Sequence, residues 1–545
     1  MPNTPPMLRA AAWCVVLLCP TLALAAGAAT PSCPVSPPLA APSVLGAPME
    51  RPVRVGDGLS VSSESTGAYD PQAAAARRAA ERETFARLLA TRPVLQGAAV
   101  TLAISPSQRE AIEREPGDGR LRVGTALAIG RTVQFAAAEA GPGDRTAAQG
   151  ILRMDAAGGT WEAEIESPQA SALRLQFVDM ALAPGVELYV YNEAGQVAGP
   201  YLGQGPDGGG EFWSDSVFGD RVRVHLRAPS PAALSASRFT LAHAMHFGSR
   251  YRIAEAMRRQ YDVGPSPEGG FCGAPVPACA LDAMCALDSN AGLSNAVKAV
   301  AHLQFVRGGS AYICTGTLLN SVFAGAEAGA GGDGKPPYLL TANHCISSQS
   351  SASSLEAFFH YHTLDCFGTC AWSRVQVSGA TLLSTGAAPS RPDFTLLQLS
   401  PLPAGSGVVR LGWTTETPQE GWYLLHLSHP EGSPLAYSFR RLRLGNAAVP
   451  HCTEAPEPGF LYSGLATQSG EAAGAVASGS SGSAALILTD DYTDVQVVGQ
   501  LYGHCPSGGD VCDPNADATV DGAFRATFPY VQRFLVESLF ADGFD

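Results

Sequence analysis

Three short segments in the second half of the chain carry side chains whose joint chemistry requires the fold to bring them together. They are Thr341–Cys345 (TANHC), Pro392–Leu397 (PDFTLL) and Gly479–Ser483 (GSSGS). They supply a base, a carboxylate and a hydroxyl, and each adjoins an apolar run of the length of a buried strand. A serine hydroxyl is a weak nucleophile at neutral pH unless a base takes its proton. The segments therefore constrain any fold of this chain to converge on His344, Asp393 and Ser481.

Each segment also has an ordinary structural explanation. Gly/Ser runs usually form flexible loops, a lone histidine is more often a structural residue, and a carboxylate at a strand start often belongs to a turn. The joint occurrence in the order His, Asp, Ser favours a catalytic triad. His344 is then the general base, Asp393 orients it, and Ser481 is the nucleophile. The backbone N–H groups of Gly479 and Ser481 are the candidate oxyanion hole.

Charge and length limit the function. The chain has 545 residues, so two or three domains are expected. Charged residues make up 15 % of it and the net charge is −14. Nucleic acid is excluded as a partner, because phosphate binding needs a basic face. The expected partners are protein or peptide substrates, and the expected state is a monomer.

The first residues predict export. Arg9 precedes the mostly apolar run Ala10–Ala25, and a small-x-small site precedes Ala26. A membrane anchor is the alternative, but the run is short for a span. Thirteen cysteines are present, and the ten from Cys272 onward predict up to five disulfides. We expect a secreted protein, extracellular or periplasmic, with no membrane association after signal removal.

Composition and periodicity divide the chain. Asp70 and Pro71 predict the start of a helix over 72–89, and further helices are expected over 253–260 and 530–540. Short alternating runs separated by Gly and Pro predict an antiparallel β-sandwich. The expected parts are a signal peptide (1–25), a linker and helical pro-segment (26–118), a β-sandwich pro-region (119–250), a connector (251–271), a cysteine-rich β domain (272–537) and a tail (538–545).

The second half resembles the bacterial lysyl endopeptidase branch of the chymotrypsin-fold serine proteases. The resemblance runs from Cys279 to about Val536 and covers about half the chain. It is carried by the three segments above and by Cys279–Cys285 (CALDAMC), Cys314–Asn320 (CTGTLLN) and Val497–Gly503 (VVGQLYG). It implies an all-β, double-barrel catalytic domain behind a removable pro-region. It also implies the same triad of His344, Asp393 and Ser481.

The resemblance further implies disulfides and a substrate pocket. Cys314 is expected to pair with Cys345, Cys285 with Cys366, and Cys279 with Cys505 or Cys512. Ala475 stands where trypsin-like enzymes carry the acid that binds Lys or Arg. The resemblance instead implies a pocket formed by Asp521, Tyr502 and Gly503. Tyr502 replaces the pocket histidine of the family, so cleavage after Lys or Arg is expected without strict preference for lysine.

The expected function is therefore secreted serine endopeptidase, which needs no cofactor and no metal. The alternative is a non-catalytic secreted binding protein in which the protease-like domain is structural. An acid at position 480 would provide the ammonium switch of animal proteases, but Ser480 stands there. Asp513 and Asp517 have the spacing of a calcium loop but lack its glycine and its glutamate. His360 and His362 lie two apart on one predicted strand, for which packing is expected rather than zinc.

Overall fold

The computed structural model describes thirteen segments of the chain. They are residues 58–93, 99–114, 120–136, 143–155, 158–261, 277–287, 292–322, 335–443, 459–464, 472–489, 493–505, 510–513 and 517–536. The predicted signal peptide (1–25), Cys33, Cys272, Cys452 and the tail (538–545) lie outside them.

The N-terminal half contains fourteen strands and four helices among these residues. In chain order they are β1 (Ser60–Val61), β2 (Glu64–Ser65), α1 (Pro71–Thr91), β3 (Val100–Thr101), α2 (Pro106–Glu113), β4 (Leu121–Gln134), β5 (Gly143–Ala147), β6 (Gly150–Asp155), β7 (Gly158–Glu166), β8 (Ala172–Ala181), β9 (Glu187–Tyr191), β10 (Val197–Tyr201), β11 (Phe212–Trp213), β12 (Val217–Phe218), β13 (Arg221–Ala228), α3 (Pro231–Ser235), β14 (Arg238–Phe247) and α4 (Ile253–Arg259).

The C-terminal half continues the numbering. Its elements are β15 (Leu281–Asp282), α5 (Ala283–Leu287), α6 (Leu293–Ala299), β16 (Val300–Arg307), β17 (Ser310–Leu319), β18 (Tyr338–Thr341), α7 (Gln349–Ser353), β19 (Glu356–Thr363), β20 (Cys370–Ser378), β21 (Ala380–Gly386), β22 (Phe394–Leu399), β23 (Val409–Arg410), β24 (Gly412–Thr414), β25 (Tyr423–Ser428), β26 (Ala436–Arg443), β27 (Phe460–Ser463), β28 (Ala472–Ala473), β29 (Ala484–Leu488), β30 (Val495–Cys505), β31 (Ala518–Ala523) and α8 (Phe524–Leu535).

The N-terminal strands form the predicted β-sandwich. One sheet has the order β10-β9-β13-β7-β6-β5, and the facing strands are β11 and β12 beside β8, then β14 and β4. Successive side chains of a strand point to opposite faces of its sheet. Because the two sheets face each other, the side chains on the inner face of each sheet are buried. The apolar core between the sheets includes Trp161, Leu175, Phe177 and Phe239.

Two β units make up the C-terminal half, in agreement with the predicted fold class. Six strands close into a barrel in the order β29-β25-β26-β27-β31-β30, with β30 pairing back to β29. Its interior includes Leu424, Leu461 and Ile487. The other unit has the order β21-β22-β18-β17-β16-β19-β20 and its own apolar core. The C-terminal half is therefore mainly β, with one closed six-strand barrel and a second β unit.

Local signals placed two of the three predicted helices well. α1 begins at Pro71, and the Asp70 carboxylate accepts hydrogen bonds from the N–H groups of Gln72 and Ala73. α4 begins at Ile253 as predicted. The prediction of a last helix over 530–540 was wrong at its start, because α8 begins at Phe524 and carries Pro529 within it. Its buried side chains Phe524, Val531 and Leu535 join the core of the C-terminal half, so tertiary packing sets its start.

Three strand pairings join the N-terminal half to the C-terminal half. Residues 58–66 fall in the predicted linker, yet β1 pairs with β24 and β2 pairs with β23. β4 pairs with β14 in the sandwich and also with β17 of the C-terminal half. The sandwich sheet therefore continues directly into the barrel sheet.

Candidate active site

Two paired strands place His344 and Asp393 side by side. β18 ends at Thr341 just before His344, and β22 begins at Phe394 just after Asp393. The strands are antiparallel, with Thr341 opposite Thr395, so the end of one lies at the start of the other. One carboxylate oxygen of Asp393 lies 2.5 Å from His344 Nδ1, and the other accepts a 3.0 Å hydrogen bond from the His344 backbone N–H.

This contact orients the imidazole. Asp393 is only 2 % exposed, so its charge is poorly hydrated and both of its oxygens bind the histidine segment. Nδ1 faces the carboxylate, and Nε2 is buried without a hydrogen-bond partner among the described residues. A neutral histidine held this way carries its proton on Nδ1 and offers the Nε2 lone pair as a base.

Thr315 attaches the serine loop to β17. Its N–H donates to the Ser481 carbonyl at 2.9 Å, and its hydroxyl donates to the Gly479 carbonyl at 2.9 Å. The preceding residue, Cys314, is disulfide-bonded to Cys345, which adjoins His344. β17 thus joins the nucleophile segment to the base segment. Thr315 lies within the Cys314–Asn320 motif, but nothing in the sequence marks it as a contact of the serine loop.

The serine loop has the backbone geometry of an anion site. Gly479 and Gly482 have φ angles of +99° and +81°, which non-glycine residues rarely adopt. A Cβ at Gly479 would lie 2.8 Å from the His429 carbonyl, and one at Gly482 would lie 2.2 Å from Thr341 Oγ1. The N–H groups of Ser480, Gly482 and Ser483 donate to backbone carbonyls. Those of Gly479 and Ser481 make no hydrogen bond within the described residues, as a site for an oxyanion requires.

Neutral polar groups support this loop from behind. The Ser480 hydroxyl is 2.9 Å from the Ser428 hydroxyl and accepts from the Ala477 N–H at 3.2 Å. His429 donates its backbone N–H to the Thr315 hydroxyl. Burial lowers the pKa of His429 to about 4, so this ring is uncharged at neutral pH. The loop is therefore held without a charged group at position 480.

Tyr502 lies against His344. Its ring centroid is 6.0 Å from that of His344 and 5.8 Å from that of Phe460, both edge-on. Burial, and secondarily the Asp393 charge, raise the pKa of Tyr502. The neighbouring Gly503 borders open space, since no described atom lies within 4 Å of where its Cβ would be. Of the three residues predicted for the pocket, Tyr502 is thus in ring contact with His344.

Asp521 is fully buried in β31, and its charge has a partner. The nearer carboxylate oxygen is 2.7 Å from His426 Nε2, and the other accepts a 3.4 Å contact from Thr519. His426 was not identified from the sequence, because it lies 95 residues from Asp521 in an ordinary apolar strand. Any cationic side chain that reaches Asp521 would share this carboxylate with His426.

Two of the residues considered for metal binding have protein partners, and residues 514–516 of the candidate calcium loop lie outside the described segments. The Asp517 carboxylate binds Arg440 Nη2 at 2.7 Å and lies 3.1 Å from His504 Nδ1. His360 is buried and lies 2.9 Å from the Ser406 carbonyl. Among the described residues no group of three or more His, Cys, Asp or Glu side chains is placed to hold a metal. Likewise, no helix in those segments is long and apolar enough to cross a membrane.

The disulfides follow the expected framework. Cys314 is bonded to Cys345, Cys285 to Cys366, and Cys279 to Cys512 rather than to Cys505. Cys505 is also disulfide-bonded. The Cys314–Cys345 bond is the one that touches the candidate site.

Removing the Cys314–Cys345 bond is expected to lower both stability and activity. A double substitution of both cysteines by alanine should cost about 2–4 kcal/mol, the typical contribution of a disulfide. It should also lower kcat, because β17 then loses its covalent link to the histidine segment. The matched control is Cys285→Ala with Cys366→Ala, which should lower the free energy of unfolding but leave kcat of the folded enzyme nearly unchanged. Equal losses of kcat in both double variants would contradict a specific role of the Cys314–Cys345 bond in holding the His344 segment.

Comparison with known proteins finds similarity to proteases in this half of the chain. Residues 276–521 match the family model "Lysyl endopeptidase, C-terminal domain". A lysyl endopeptidase of Pseudomonas aeruginosa is 30 % identical over 302 residues, which cover 54 % of this chain. The chain spans about half the length of that curated relative, 56 %.

Matches to solved structures were also found. The inactivated protease paralogue S-I1 of the scabies mite matches 45 % of this chain and 98 % of its own, with 13 % identity and a TM-score of 0.31. The thermostable serine protease AL20 of an extremophilic microorganism matches 45 % of this chain and 100 % of its own, with 10 % identity and a TM-score of 0.29.

Proposed function

We propose that the chain is a secreted serine endopeptidase, because residues 276–521 match the family model of the lysyl endopeptidase C-terminal domain. The observation that carries the proposal is the pairing of two features. One is the His344–Asp393 contact, which leaves Nε2 without a hydrogen-bond partner among the described residues. The other is the serine loop, in which the N–H groups of Gly479 and Ser481 are the ones left without acceptors within the described residues.

The proposed mechanism is acyl transfer. The Ser481 oxygen bonds to the substrate carbonyl carbon while His344 Nε2 takes the hydroxyl proton. The carbonyl oxygen becomes an anion and accepts hydrogen bonds from Gly479 and Ser481. His344 passes the proton to the leaving nitrogen as the C–N bond breaks, and water then releases the acyl group by the same steps. Asp393 stabilises the imidazolium at each stage.

Labelling with a fluorophosphonate tests the proposal against the alternative of a non-catalytic binding protein. This small probe reacts only with an activated serine. We expect stoichiometric labelling of the chain at Ser481, found by mass spectrometry of the labelled peptide. The His344→Ala variant should label at least about 10³-fold more slowly, because the hydroxyl loses its base. A folded wild-type chain that does not label would contradict enzymatic function.

For specificity we propose cleavage after Lys or Arg, with Asp521 as the acid that attracts the cation. Buried Ala475 provides no charge at the alternative position, and Asp521 is a desolvated carboxylate. Charge-assisted contacts in such a setting are strong. Tyr502 beside His344 shapes the neighbouring wall, so we propose that lysine is not the exclusive choice.

The Asp521→Asn variant tests this specificity. We expect kcat/KM for a basic substrate to fall roughly 10²-fold, about 3 kcal/mol of transition-state binding. The kcat/KM for an apolar substrate should fall far less. The unfolding curve of the variant measures how much stability is lost when His426 no longer has the Asp521 carboxylate as its partner. Equal losses on both substrates would mean that Asp521 has a structural role with His426 only.

A further inference from the structure

The N–H group of Gly479 belongs to a peptide unit that is held from its other side. The peptide between Ser478 and Gly479 is planar and trans, so its carbonyl and its N–H point in opposite directions. The Ser478 carbonyl accepts a 2.7 Å hydrogen bond from the Glu431 N–H. This bond therefore turns the Gly479 N–H to the opposite side, where it has no acceptor within the described residues, as an oxyanion donor requires.

Glu431 makes this donation from an uncommon backbone conformation. Its φ angle is +51°, and that of the following Gly432 is +68°. The left-handed conformation is costly for a residue other than glycine, and it persists only where surrounding contacts fix it. The Glu431 carboxylate binds Arg250 Nη2 at 2.5 Å, which holds the side chain but does not set the backbone angle. The turn around Glu431 therefore needs a closure of its own.

The imidazole of His429 closes that turn, which runs from His429 to Ser433. His429 Nδ1 lies 2.9 Å from the Ser433 carbonyl, and because a carbonyl only accepts hydrogen bonds, Nδ1 carries the proton. Two backbone bonds complete the turn. The Gly432 N–H donates to the His429 carbonyl at 3.1 Å, and the Ser433 N–H donates to the Pro430 carbonyl at 2.9 Å. The side chain of the first residue thus fastens the last residue, with Glu431 between them.

Packing fixes the plane of the His429 ring. Tyr361 of β19 is stacked on it, with 5.6 Å between ring centroids and 13° between ring planes. His302 of β16 meets it edge-on at 5.2 Å, and all three rings are buried. His302 lies opposite Thr315 of β17, whose hydroxyl accepts the His429 backbone N–H at 3.1 Å. The ring is therefore held by three strands while its Nδ1 holds the turn.

We propose that His429 is a positioning residue for the oxyanion site: its imidazole closes the His429–Ser433 turn, and the turn keeps the Gly479 N–H aimed at the substrate carbonyl. The inference rests on the proposed function. Without the Nδ1–Ser433 bond, Glu431 leaves the left-handed conformation and releases the Ser478 carbonyl. The peptide can then turn over and present its carbonyl to the developing anion. The loss falls on the transition state rather than on substrate binding.

Two substitutions of His429 separate the hydrogen bond from the ring. His429→Phe keeps a ring and removes the donor, whereas His429→Asn removes the ring and keeps an N–H donor near the position of Nδ1. The reaction is acylation of the full chain by 4-nitrophenyl acetate, a small ester without a long side chain, followed as the burst of 4-nitrophenolate. In the Phe variant the acylation rate constant at saturation should fall at least about tenfold, and the dissociation constant of the ester should change less than twofold. The Asn variant should stay within about threefold of the wild type. Equal rates in the wild type and the Phe variant, or equal losses in both variants, would overturn the inference.

The matched control is His246→Phe in the sandwich. His246 is also buried, and its Nδ1 makes a 2.8 Å hydrogen bond with the Ser167 hydroxyl. Both Phe variants should lower the free energy of unfolding, but the His246 variant should acylate at the wild-type rate. An equal loss of acylation in the two would mean that His429 acts only through stability, which would contradict the proposal. His429→Leu also lacks the donor, and it takes the place of the Phe variant where that chain does not fold.

A crystal structure of the His429→Phe variant checks that the change occurs at the intended peptide. The Ser478 carbonyl should no longer accept from the Glu431 N–H. A slow variant in which this bond and the Glu431 conformation are intact would overturn the inference. Failure of the proposed function shows differently: a wild-type chain with neither a burst nor fluorophosphonate labelling contradicts that function and this inference together, whereas a normal burst in the Phe variant contradicts the inference alone.

Discussion

Replacing Ser481 with alanine is expected to abolish peptide cleavage and to leave the fold unchanged. The substitution removes one hydroxyl from a loop that is held by backbone contacts, with the Ser481 carbonyl bonded to Thr315 and the Gly482 N–H bonded to Leu501. Neither contact uses the lost atom. Loss of the nucleophile of a triad costs on the order of 10⁴ or more in rate, more than about 5 kcal/mol of transition-state stabilisation.

The matched control is Ser478→Ala, which removes a half-buried hydroxyl in the same loop. The described contact of Ser478 with Glu431 is made by its backbone carbonyl, so kcat/KM should stay within a few-fold of the wild type. Both variants are compared by kcat/KM on a peptide and by thermal unfolding. Near-normal cleavage by the Ser481 variant would refute the assignment of the nucleophile.

Replacing Glu356 with alanine is expected to destabilise the intact chain by about 3–5 kcal/mol. Glu356 is fully buried in β19 and lies 3.2 Å from Arg174 Nη1 of the sandwich, itself 1 % exposed. It also accepts hydrogen bonds from the N–H and hydroxyl of Ser216 and from Gln304 and Gln376. Burial raises the pKa of Glu356, and the Arg174 charge opposes that shift. Alanine would leave the arginine buried without a counter-charge.

Two further variants show whether the loss of stability comes from the buried Arg174–Glu356 pair or would follow from removing any ion pair. Glu110→Ala removes an exposed pair with Arg114, and it should cost less than about 1 kcal/mol. Arg174→Met combined with Glu356→Leu removes both charges, and it should recover most of the lost stability. The free energy of unfolding is read from denaturant curves of the full chain. A cost for Glu356→Ala no larger than that for Glu110→Ala would show that the pair does not hold the two halves together.

Features that depend on neighbouring residues were predictable. Asp70 followed by Pro71 specifies the start of α1, because the cap and the first helical residue act within one turn. The candidate triad could be named from the sequence because a base, a carboxylate and a hydroxyl follow one another in the order His, Asp, Ser beside strand-like runs. The Cys314–Cys345 and Cys285–Cys366 bonds came from a family resemblance, and spacing alone would have left their pairing open.

Features that depend on which strands meet were not predictable. His426 has no local feature that marks it as the partner of Asp521, and Thr315 lies in a strand with no catalytic motif of its own. Residues 60–65 have a linker composition, yet they pair with strands more than 340 residues away. Only the folded chain reveals these contacts, because strand pairing is set by the packing of whole sheets.

The sequence by itself determined which side chains are present: the candidate base, acid and hydroxyl, the strand-forming patterns and the cysteines. The tertiary structure alone decided how that chemistry is enclosed. It placed β4 along β17 next to Ser481 and buried Arg174 against Glu356 across the two halves. The physical reason is the separation along the chain over which each property is set. Side-chain chemistry and alternation are properties of single residues and their neighbours, whereas edge pairing and buried charge compensation exist only between segments that folding brings together.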